Sequence, residues 1–285
     1  AETETGFLPD FTALPKEILN RTAAAYLCSP SNPQGAVAGR EDWARLIALA
    51  EKYDFRIFAD ECYSEIYRDT PPPGAMEVAT EGGADPERVL IFHSLSKRSN
   101  LPGLRSGFVA GGPESIARIK QLRAYAGAPL PLPLQRVAER AWADEAHVTA
   151  SRGLYQEKYR IADAVFDGVD GYTGPQAGFF LWLPVADGEQ AAVKLWTETG
   201  VRVLPGAYLA LESEDRPGNI SLSESLAQSR RLACALYRLG IRGGDVVAVQ
   251  LPNWIEAAEL SAAIWLIDAV LLPVTAIYDV SELSF

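Results

Sequence analysis

Three stretches of the sequence carry side chains with complementary chemistry. Lys97 offers a primary amine and Asp60 a carboxylate, while Asn32 and Tyr63 offer an amide and a phenol that donate hydrogen bonds. A lysine amine can bond to a carbonyl carbon. A carboxylate can hold a proton on a ring nitrogen beside it. The set therefore predicts amine–carbonyl chemistry assisted by hydrogen-bond donors.

Phosphate-binding groups flank the lysine. Ser94 and Ser96 precede it, and Arg105 follows across the Pro102-Gly103 pair. Hydroxyl groups and a guanidinium are the donors that bind phosphate oxygens. A phosphorylated ligand is therefore predicted beside Lys97.

These side chains follow predicted strands. Short, continuously apolar runs predict strands at Ala23–Cys28, Phe55–Ala59, Val89–His93 and Arg105–Ala110, and apolar spacing predicts a helix at Arg40–Tyr53. Such strands separated by helices indicate an α/β fold with a mostly parallel sheet covered on both faces. Ligands bind at the carboxyl ends of these strands, where the reactive side chains lie.

The later elements divide the chain. Helices are predicted at Pro113–Ala126, from Leu134 to about Val165 with an interruption near Ser151–Gly153, at Leu226–Leu239 and at Ile255–Leu266, and strands at Gly178–Pro184, Val201–Leu204, Val246–Leu251 and Val270–Val274. We predict a partial cofactor-binding large domain over residues 1–128. Connecting helices and a small α+β lobe follow over 129–219, and a separate α/β fragment over 220–285. The polar stretch Glu212–Asn219 is predicted to be a loop or boundary.

Pyridoxal 5'-phosphate (PLP) needs this set of groups. Its aldehyde needs a lysine amine, and its pyridine nitrogen needs a carboxylate that keeps it protonated, so that the ring accepts electrons. Its phenolic oxygen needs hydrogen-bond donors, and its phosphate needs hydroxyls and a guanidinium. PLP is therefore the predicted cofactor.

The ordered motifs Asn32-Pro33-x-Gly35, Asp60-x-x-Tyr63 and Ser94-x-Ser96-Lys97, with Arg105, resemble those of class I/II, fold type I aminotransferases. The resemblance implies that Lys97 is the Schiff-base lysine and proton shuttle. By the same resemblance, Asp60 pairs with the pyridine nitrogen, and Asn32 and Tyr63 bond the phenolic oxygen. Ser94, Ser96 and Arg105 would hold the phosphate.

Longer strings resemble N-succinyldiaminopimelate aminotransferases of bacterial lysine biosynthesis. They are Asp60–Tyr67, Ser94–Ala110 and Asp144–Val148. The aminotransferase resemblance covers roughly residues 1–219 and implies that the family's amino-terminal half is missing. The family's carboxylate-binding arginine is also expected near Gly218–Ser223, where no arginine occurs; Arg216 lies nearby but does not match.

The tail resembles a different family. Gly240–Trp254 and Ala269–Val274 are similar to the first part of AMP-forming acyl-CoA synthetases, and the similar piece spans roughly residues 220–285. In that family the ATP-binding motifs and catalytic lysine lie further on, and no lysine follows Lys194 here. The resemblance therefore implies a non-catalytic fragment joined to the aminotransferase part.

Composition excludes some partners and compartments. The formal net charge of -11 argues against a nucleic-acid partner. No apolar run is long enough to predict a membrane span. Three cysteines without metal-like spacing favour a reducing cytoplasm and predict no metal site.

Several neighbouring side chains are predicted to be structural. His93 is expected to be a packed or hydrogen-bonded histidine, and His147 to lie on a helix surface. Cys28 and Cys62 are expected to be small core residues, and Phe179-Phe180 to pack the small lobe.

Three functions are compatible with these observations. The first is a PLP-dependent aminotransferase acting on amino-acid and keto-acid substrates, with N-succinyl-LL-2,6-diaminopimelate as the expected amino acid. The family resemblance also implies a homodimer. The second is a PLP-binding chain without turnover, and the third is a fragment of an ATP-dependent acyl-CoA ligase.

Overall fold

The computed structural model describes residues 5–125, 129–209, 222–249 and 255–273. The chain divides into two compact units, Ala1–Pro184 and Val185–Phe285. The three predicted domains, with boundaries after residues 128 and 219, stay a prediction. None of the helices in the described ranges is long and apolar enough to cross a membrane.

The strands are β1 Ala24–Cys28, β2 Arg56–Asp60, β3 Val89–Ser94, β4 Gly107–Ala110, β5 Val246–Val249 and β6 Val270–Pro273. The helices are α1 Lys16–Leu19, α2 Arg40–Tyr53, α3 Ala75–Glu81, α4 Leu95–Arg98, α5 Pro113–Tyr125, α6 Leu132–Trp142, α7 Ala146–Val165, α8 Gly188–Thr199, α9 Leu222–Arg238 and α10 Ile255–Leu266.

The first unit contains a four-stranded sheet in the order β1-β2-β3-β4. The first three strands are parallel, and β4 runs antiparallel to β3, so the predicted mostly parallel sheet is confirmed. β4 begins two residues later than predicted because Arg105 has a left-handed backbone, with φ of 53°. Such a conformation lies outside the β region.

Helices α2 and α3 cover one face of this sheet. Trp43, Leu46 and Ala50 recur at helical spacing along α2 and are buried against Ile57 and Val89 of the strands. Asp42 accepts a hydrogen bond from the N–H of Gly39 and so caps the start of α2. This local pattern explains why the predicted bounds of α2 agree with the structure.

The other face of the sheet is less covered. Tyr26 is 72% exposed, and its ring meets Phe58, which in turn meets Phe92, in edge contacts at 4.9 and 5.8 Å. Coverage of both faces, expected from the sequence, therefore holds only in part for the described residues.

The predicted long helix is interrupted at a different place. The break between α6 and α7 covers residues 143–145, and Gly153 lies inside α7. The side chain of Asp144 accepts a hydrogen bond from the N–H of Ala146 and so starts the second helix. A single glycine costs a helix only about 1 kcal/mol, so it does not end α7.

The strands predicted at Gly178–Pro184 and Val201–Leu204 are wrong, because neither segment forms a strand in the structure. An isolated bridge joins Ala177 to Tyr67 just before the first segment. The aromatic side chains that follow pack on other rings rather than on a partner strand. The structure instead has α8 between the two segments, capped by Asp187.

The second unit contains the strand–helix–strand pattern predicted for the tail. β5 and β6 pair in parallel, and α10 lies between them in sequence. Val249, Ile264 and Ala269 form its buried core. The predicted ends of both strands, Leu251 and Val274, lie outside the described residues, as does most of the Gly218–Ser223 stretch.

Candidate active site

The candidate site lies at the carboxyl ends of the parallel strands. Asp60 is the last residue of β2 and Ser94 the last of β3. Asn32 follows four residues after Cys28, where β1 ends. Cys28 pairs with Asp60 in register, and Asp60 with Phe92. Parallel strands therefore bring the three motifs to one edge of the sheet.

The loop that carries Asn32 is fixed by its own hydrogen bonds. Ser31 Oγ accepts from the N–H of Ala36 at 2.9 Å, and Ser29 Oγ accepts from the N–H of Ala38 at 2.9 Å. Gly35 has φ of +71°, and a Cβ there would lie 2.5 Å from the carbonyl oxygen of Ala177. Glycine is thus required where the loop meets the segment leading to Phe179.

Asn32 and Tyr63 contact each other. Nδ2 of Asn32 donates to the hydroxyl oxygen of Tyr63 at 3.3 Å. Burial, followed by the charges of Cys28 and Asp60, raises the pKa of Tyr63 to about 12. The phenol therefore keeps its proton at neutral pH, and because Asn32 donates to the oxygen, that proton can be donated elsewhere.

Asp60 is exposed at the end of β2. Its Oδ1 accepts from the N–H of Cys62 at 3.1 Å. Burial, with the hydrogen bond to Asp60, raises the pKa of the Cys62 thiol, and burial raises that of Cys28 to about 11. Both thiols are neutral at pH 7, in keeping with their interpretation as small packed residues. The charge of Asp60 also raises the pKa of Cys62, whereas the charge of Lys97 lowers it.

Lys97 lies in the single turn of α4. Ser94 caps this turn: its Oγ accepts from the N–H of Ser96 at 3.1 Å and lies 2.9 Å from Ser96 Oγ. Nζ of Lys97 lies 5.8 Å from the ring centroid of Tyr63 and 4.9 Å from that of Phe179. The amine thus lies beside a pair of aromatic rings that contact each other.

Phe179 was missed as a site residue by the sequence reasoning. Its ring stacks on Tyr155 at 5.9 Å and meets Tyr63 at 5.5 Å. Phe180 packs beside it at 4.7 Å. The prediction that this aromatic pair packs the small lobe did not include these contacts with Tyr63 and Lys97. Gly178 directly precedes the pair and has a positive φ of 78°. A glycine at this position in the sequence is the one signal that indicates a turn there.

Arg105 is exposed and donates to the carbonyl of Pro102 at 3.1 Å. The next residue, Ser106, accepts at its carbonyl from Ser94 Oγ at 3.3 Å and from the N–H of Leu95 at 3.0 Å. These bonds tie the backbone beside Arg105 to the start of α4. The hydroxyls of Ser94 and Ser96 therefore lie beside the backbone that follows Arg105, while the guanidinium of Arg105 donates to Pro102.

The residues present fit PLP by their chemistry. A half-buried amine lies beside a neutral phenol and an amide, and an exposed carboxylate is near. The hydroxyls of Ser94 and Ser96 form a separate pair, and hydroxyls and a guanidinium such as that of Arg105 are groups suited to a phosphate. No group of three or more metal-ligating side chains occurs within the described ranges.

Comparisons with known families give two matches. Residues 1–236 match the family described as aminotransferase class I and II. Residues 201–285 match the family described as AMP-binding enzyme, over less than a third of the chain.

Individual relatives agree with the first match. A 4-dedimethylamino-4-oxo-anhydrotetracycline transaminase from Streptomyces rimosus is 34% identical to this chain. The alignment covers 75% of this chain and 58% of the transaminase. An LL-diaminopimelate aminotransferase from Desulforudis audaxviator is 33% identical, and the alignment covers 82% of this chain and 59% of that enzyme. An aminotransferase from Neisseria meningitidis, known from its crystal structure, has 42% sequence identity to this chain and a TM-score of 0.70. The superposition covers 73% of this chain and 54% of that one.

The chain therefore spans little more than half the length of these relatives. The family match nevertheless covers most of the chain, and the strand ends and side chains described above lie within it. The chain belongs to the class I and II aminotransferases, a family whose members depend on PLP.

Proposed function

We propose that this chain is a PLP-dependent aminotransferase that moves an amino group between glutamate and a keto acid. The observation that carries the proposal is the meeting of three separate stretches. Nδ2 of Asn32 lies 3.3 Å from the hydroxyl of Tyr63, and Nζ of Lys97 lies 5.8 Å from the centroid of that ring. Amine, phenol and amide are thus gathered where amino-group transfer needs them.

Each group would hold one part of the cofactor. Lys97 would bond to the aldehyde carbon, and Asp60 would accept a hydrogen bond from the protonated pyridine nitrogen. Ser94, Ser96 and Arg105 would bind the phosphate. When bound, PLP supplies a carbonyl for amine exchange and a ring that accepts electrons.

Two side chains would handle protons and charge. When not bonded to the cofactor, the amine of Lys97 would be free to take a proton from the substrate carbon and return it. Tyr63 stays neutral because its pKa is raised to about 12, and its O–H can therefore donate to an oxyanion. Asn32 would orient the Tyr63 hydroxyl by donating a hydrogen bond to its oxygen.

We propose an amino acid of the diaminopimelate class, in its N-succinyl form, as the substrate. One relative is named LL-diaminopimelate aminotransferase, and the strings at Asp60–Tyr67 and Ser94–Ala110 resemble N-succinyldiaminopimelate aminotransferases. By the same family resemblance we propose a homodimer in the cytoplasm. The free cysteines Cys28, Cys62 and Cys234 support a reducing compartment.

A second candidate function is PLP binding without turnover. The observation that favours it is the length of the relatives, of which this chain spans 54 to 59%. The carboxyl-terminal part, which matches the AMP-binding family over residues 201–285, is proposed to be a non-catalytic fragment.

A PLP titration of the purified chain tests the first proposal. We expect an absorbance band of lysine-bound cofactor that borohydride fixes, with the label mapped to Lys97. Lys97→Ala should abolish the label. Lys158→Ala is the matched control, since Nζ of Lys158 also lies over an aromatic ring, 4.8 Å from Tyr155, and it should label normally.

A glutamate half-reaction separates the two candidates. Loss of the lysine-bound band on adding glutamate supports an aminotransferase, whereas a band that glutamate leaves unchanged supports binding without turnover. Label on a lysine other than Lys97 would contradict both assignments.

A further inference from the structure

A buried carboxylate and a histidine pair across the two strands that carry Asp60 and Ser94. Nε2 of His93 lies 3.0 Å from Oε2 of Glu61. Glu61 is only 5% exposed. An ionised carboxylate only accepts hydrogen bonds, so the imidazole donates from Nε2. The pair lies outside the set of groups proposed to touch the cofactor.

The pair continues the strand register by one step. Asp60 pairs with Phe92, and the N–H of Glu61 donates to the carbonyl of Phe92 at 3.0 Å. Glu61 and His93 are therefore cross-strand neighbours. Because side chains alternate along a strand, they project to the face opposite Asp60 and Ser94.

Both members of the pair are fixed by further contacts on that face. Oε1 of Glu61 accepts from the N–H of Ala75, at the start of α3, at 2.7 Å. The ring of His93 stacks on Phe108 of β4 with centroids 5.1 Å apart, and Phe108 meets Trp142 at 4.9 Å. The hydrogen bond and these two contacts thus connect the ends of β2 and β3 to β4 and α3.

We propose that Glu61 and His93 are positioning residues for the cofactor. Their hydrogen bond holds the ends of β2 and β3 at the spacing that lets Asp60 and Ser94 reach the ring nitrogen and the phosphate of one molecule. This inference rests on the proposed function. It assigns a role to two side chains that touch neither cofactor nor substrate.

Two substitutions at His93 separate the hydrogen bond from packing. His93→Gln places an amide N–H where Nε2 was but removes the ring, and His93→Phe keeps a ring against Phe108 but cannot donate. The measurements are the dissociation constant for PLP, the absorbance spectrum of bound PLP, and the melting temperature of the PLP-free protein.

We expect His93→Gln to bind PLP within about threefold of the wild type and with the same spectrum. His93→Phe should bind roughly tenfold or more weakly, the effect of losing a hydrogen bond to a charged group, with an altered spectrum. A purely structural role predicts the reverse order, because Phe preserves the ring that packs on Phe108. That order, or equal binding by both variants, would overturn the proposal.

A second pair of variants applies if His93→Phe does not fold. His93→Asn is too short by one bond to reach Glu61, so comparing it with His93→Gln repeats the test with no ring in either variant. The same difference in PLP binding is expected. A wild type that binds no PLP would refute the proposed function together with this inference, whereas a wild type that binds, with all variants alike, would refute this inference only.

Discussion

The carboxylate of Asp60 is exposed at the end of β2 and accepts a hydrogen bond from Cys62 at 3.1 Å. An amide of the same size can keep much of this local geometry but carries no charge. Asp60→Asn should therefore retain PLP but slow amino-group transfer from glutamate by roughly two or more orders of magnitude. Single-turnover absorbance of the glutamate half-reaction measures this.

The matched control is Asp54→Asn. Asp54 pairs with Arg88, and its side chain is 86% exposed, so the same chemical change occurs on the surface. Its half-reaction rate should equal that of the wild type. Equal rates in Asp60→Asn and wild type would remove Asp60 from the proposed mechanism.

The cysteines provide a test of electrostatics at the same edge of the sheet. Burial, with the charge of Asp60, raises the pKa of Cys28 to about 11, and burial also raises that of Cys62. A raised pKa means less thiolate, roughly one part in a thousand for Cys28 at pH 8. Iodoacetamide at pH 8 should therefore label the exposed Cys234 first.

Labelling of Cys28 should then accelerate about tenfold per pH unit from pH 8 toward pH 11, because the thiolate is the reacting form. Mass spectrometry of peptides after timed quenching follows each cysteine. Fast labelling of Cys28 or Cys62 at pH 8 in folded protein would contradict the burial of the site edge.

The sequence predicts Asn32, Asp60 and Lys97 as site residues because local motifs place them just after predicted strands, and the structure places them near the ends of those strands. The sequence did not predict the contact of Phe179 with Lys97 because it joins residues far apart in the chain. Periodicity describes which face a residue occupies on its own element. It contains no information about a ring delivered from a distant loop.

At the scale of elements, one glycine decides whether two segments can meet. A Cβ at Gly35 would lie 2.5 Å from both the carbonyl oxygen of Ala177 and Cβ of Pro175. Gly35→Ala should therefore destabilise the protein by the cost of a left-handed alanine, about 1–2 kcal/mol, and by the clash in addition. Urea unfolding measures the difference.

Gly83→Ala is the control for the backbone term. Gly83 has φ of +67°, close to that of Gly35, but a Cβ added there would meet nothing within 4 Å. Any excess loss in Gly35→Ala then reports the contact with the 175–177 segment. If the two variants lose equal stability, that close approach does not exist in solution.

Helix α2 agreed with its predicted bounds because its apolar spacing, the cap at Asp42 and the left-handed end at Asp54 are all local signals. The strand predicted at Gly178–Pro184 failed because a strand needs a partner, and aromatic content alone does not supply one. The segment is instead fixed by bonds such as Gly178 N–H to the carbonyl of Ile66 at 2.8 Å. That partner is not visible in the local sequence.

At the scale of the whole molecule, two compact units each have a buried core. Trp43, Ile57 and Val89 belong to the core of the first unit, and Val249 and Ile264 to that of the second. The α/β class was predictable because apolar strands and amphipathic helices alternate along both parts. The boundary at residues 184–185 was not, because no composition change marks it.

The positions of the cores predict how the chain melts. Every proposed cofactor-binding residue lies in the first unit, so PLP should stabilise that unit alone. At a hundredfold excess over its dissociation constant a ligand adds about 2.7 kcal/mol, which raises the melting temperature of a unit of this size by roughly 5–10 °C.

Calorimetry with and without PLP should therefore show two transitions, of which only one moves. Lys97→Ala identifies the moving transition, because removing the covalent bond should reduce the shift while leaving both PLP-free transitions in place. A single cooperative transition that PLP raises as a whole would instead mean that the two units unfold together.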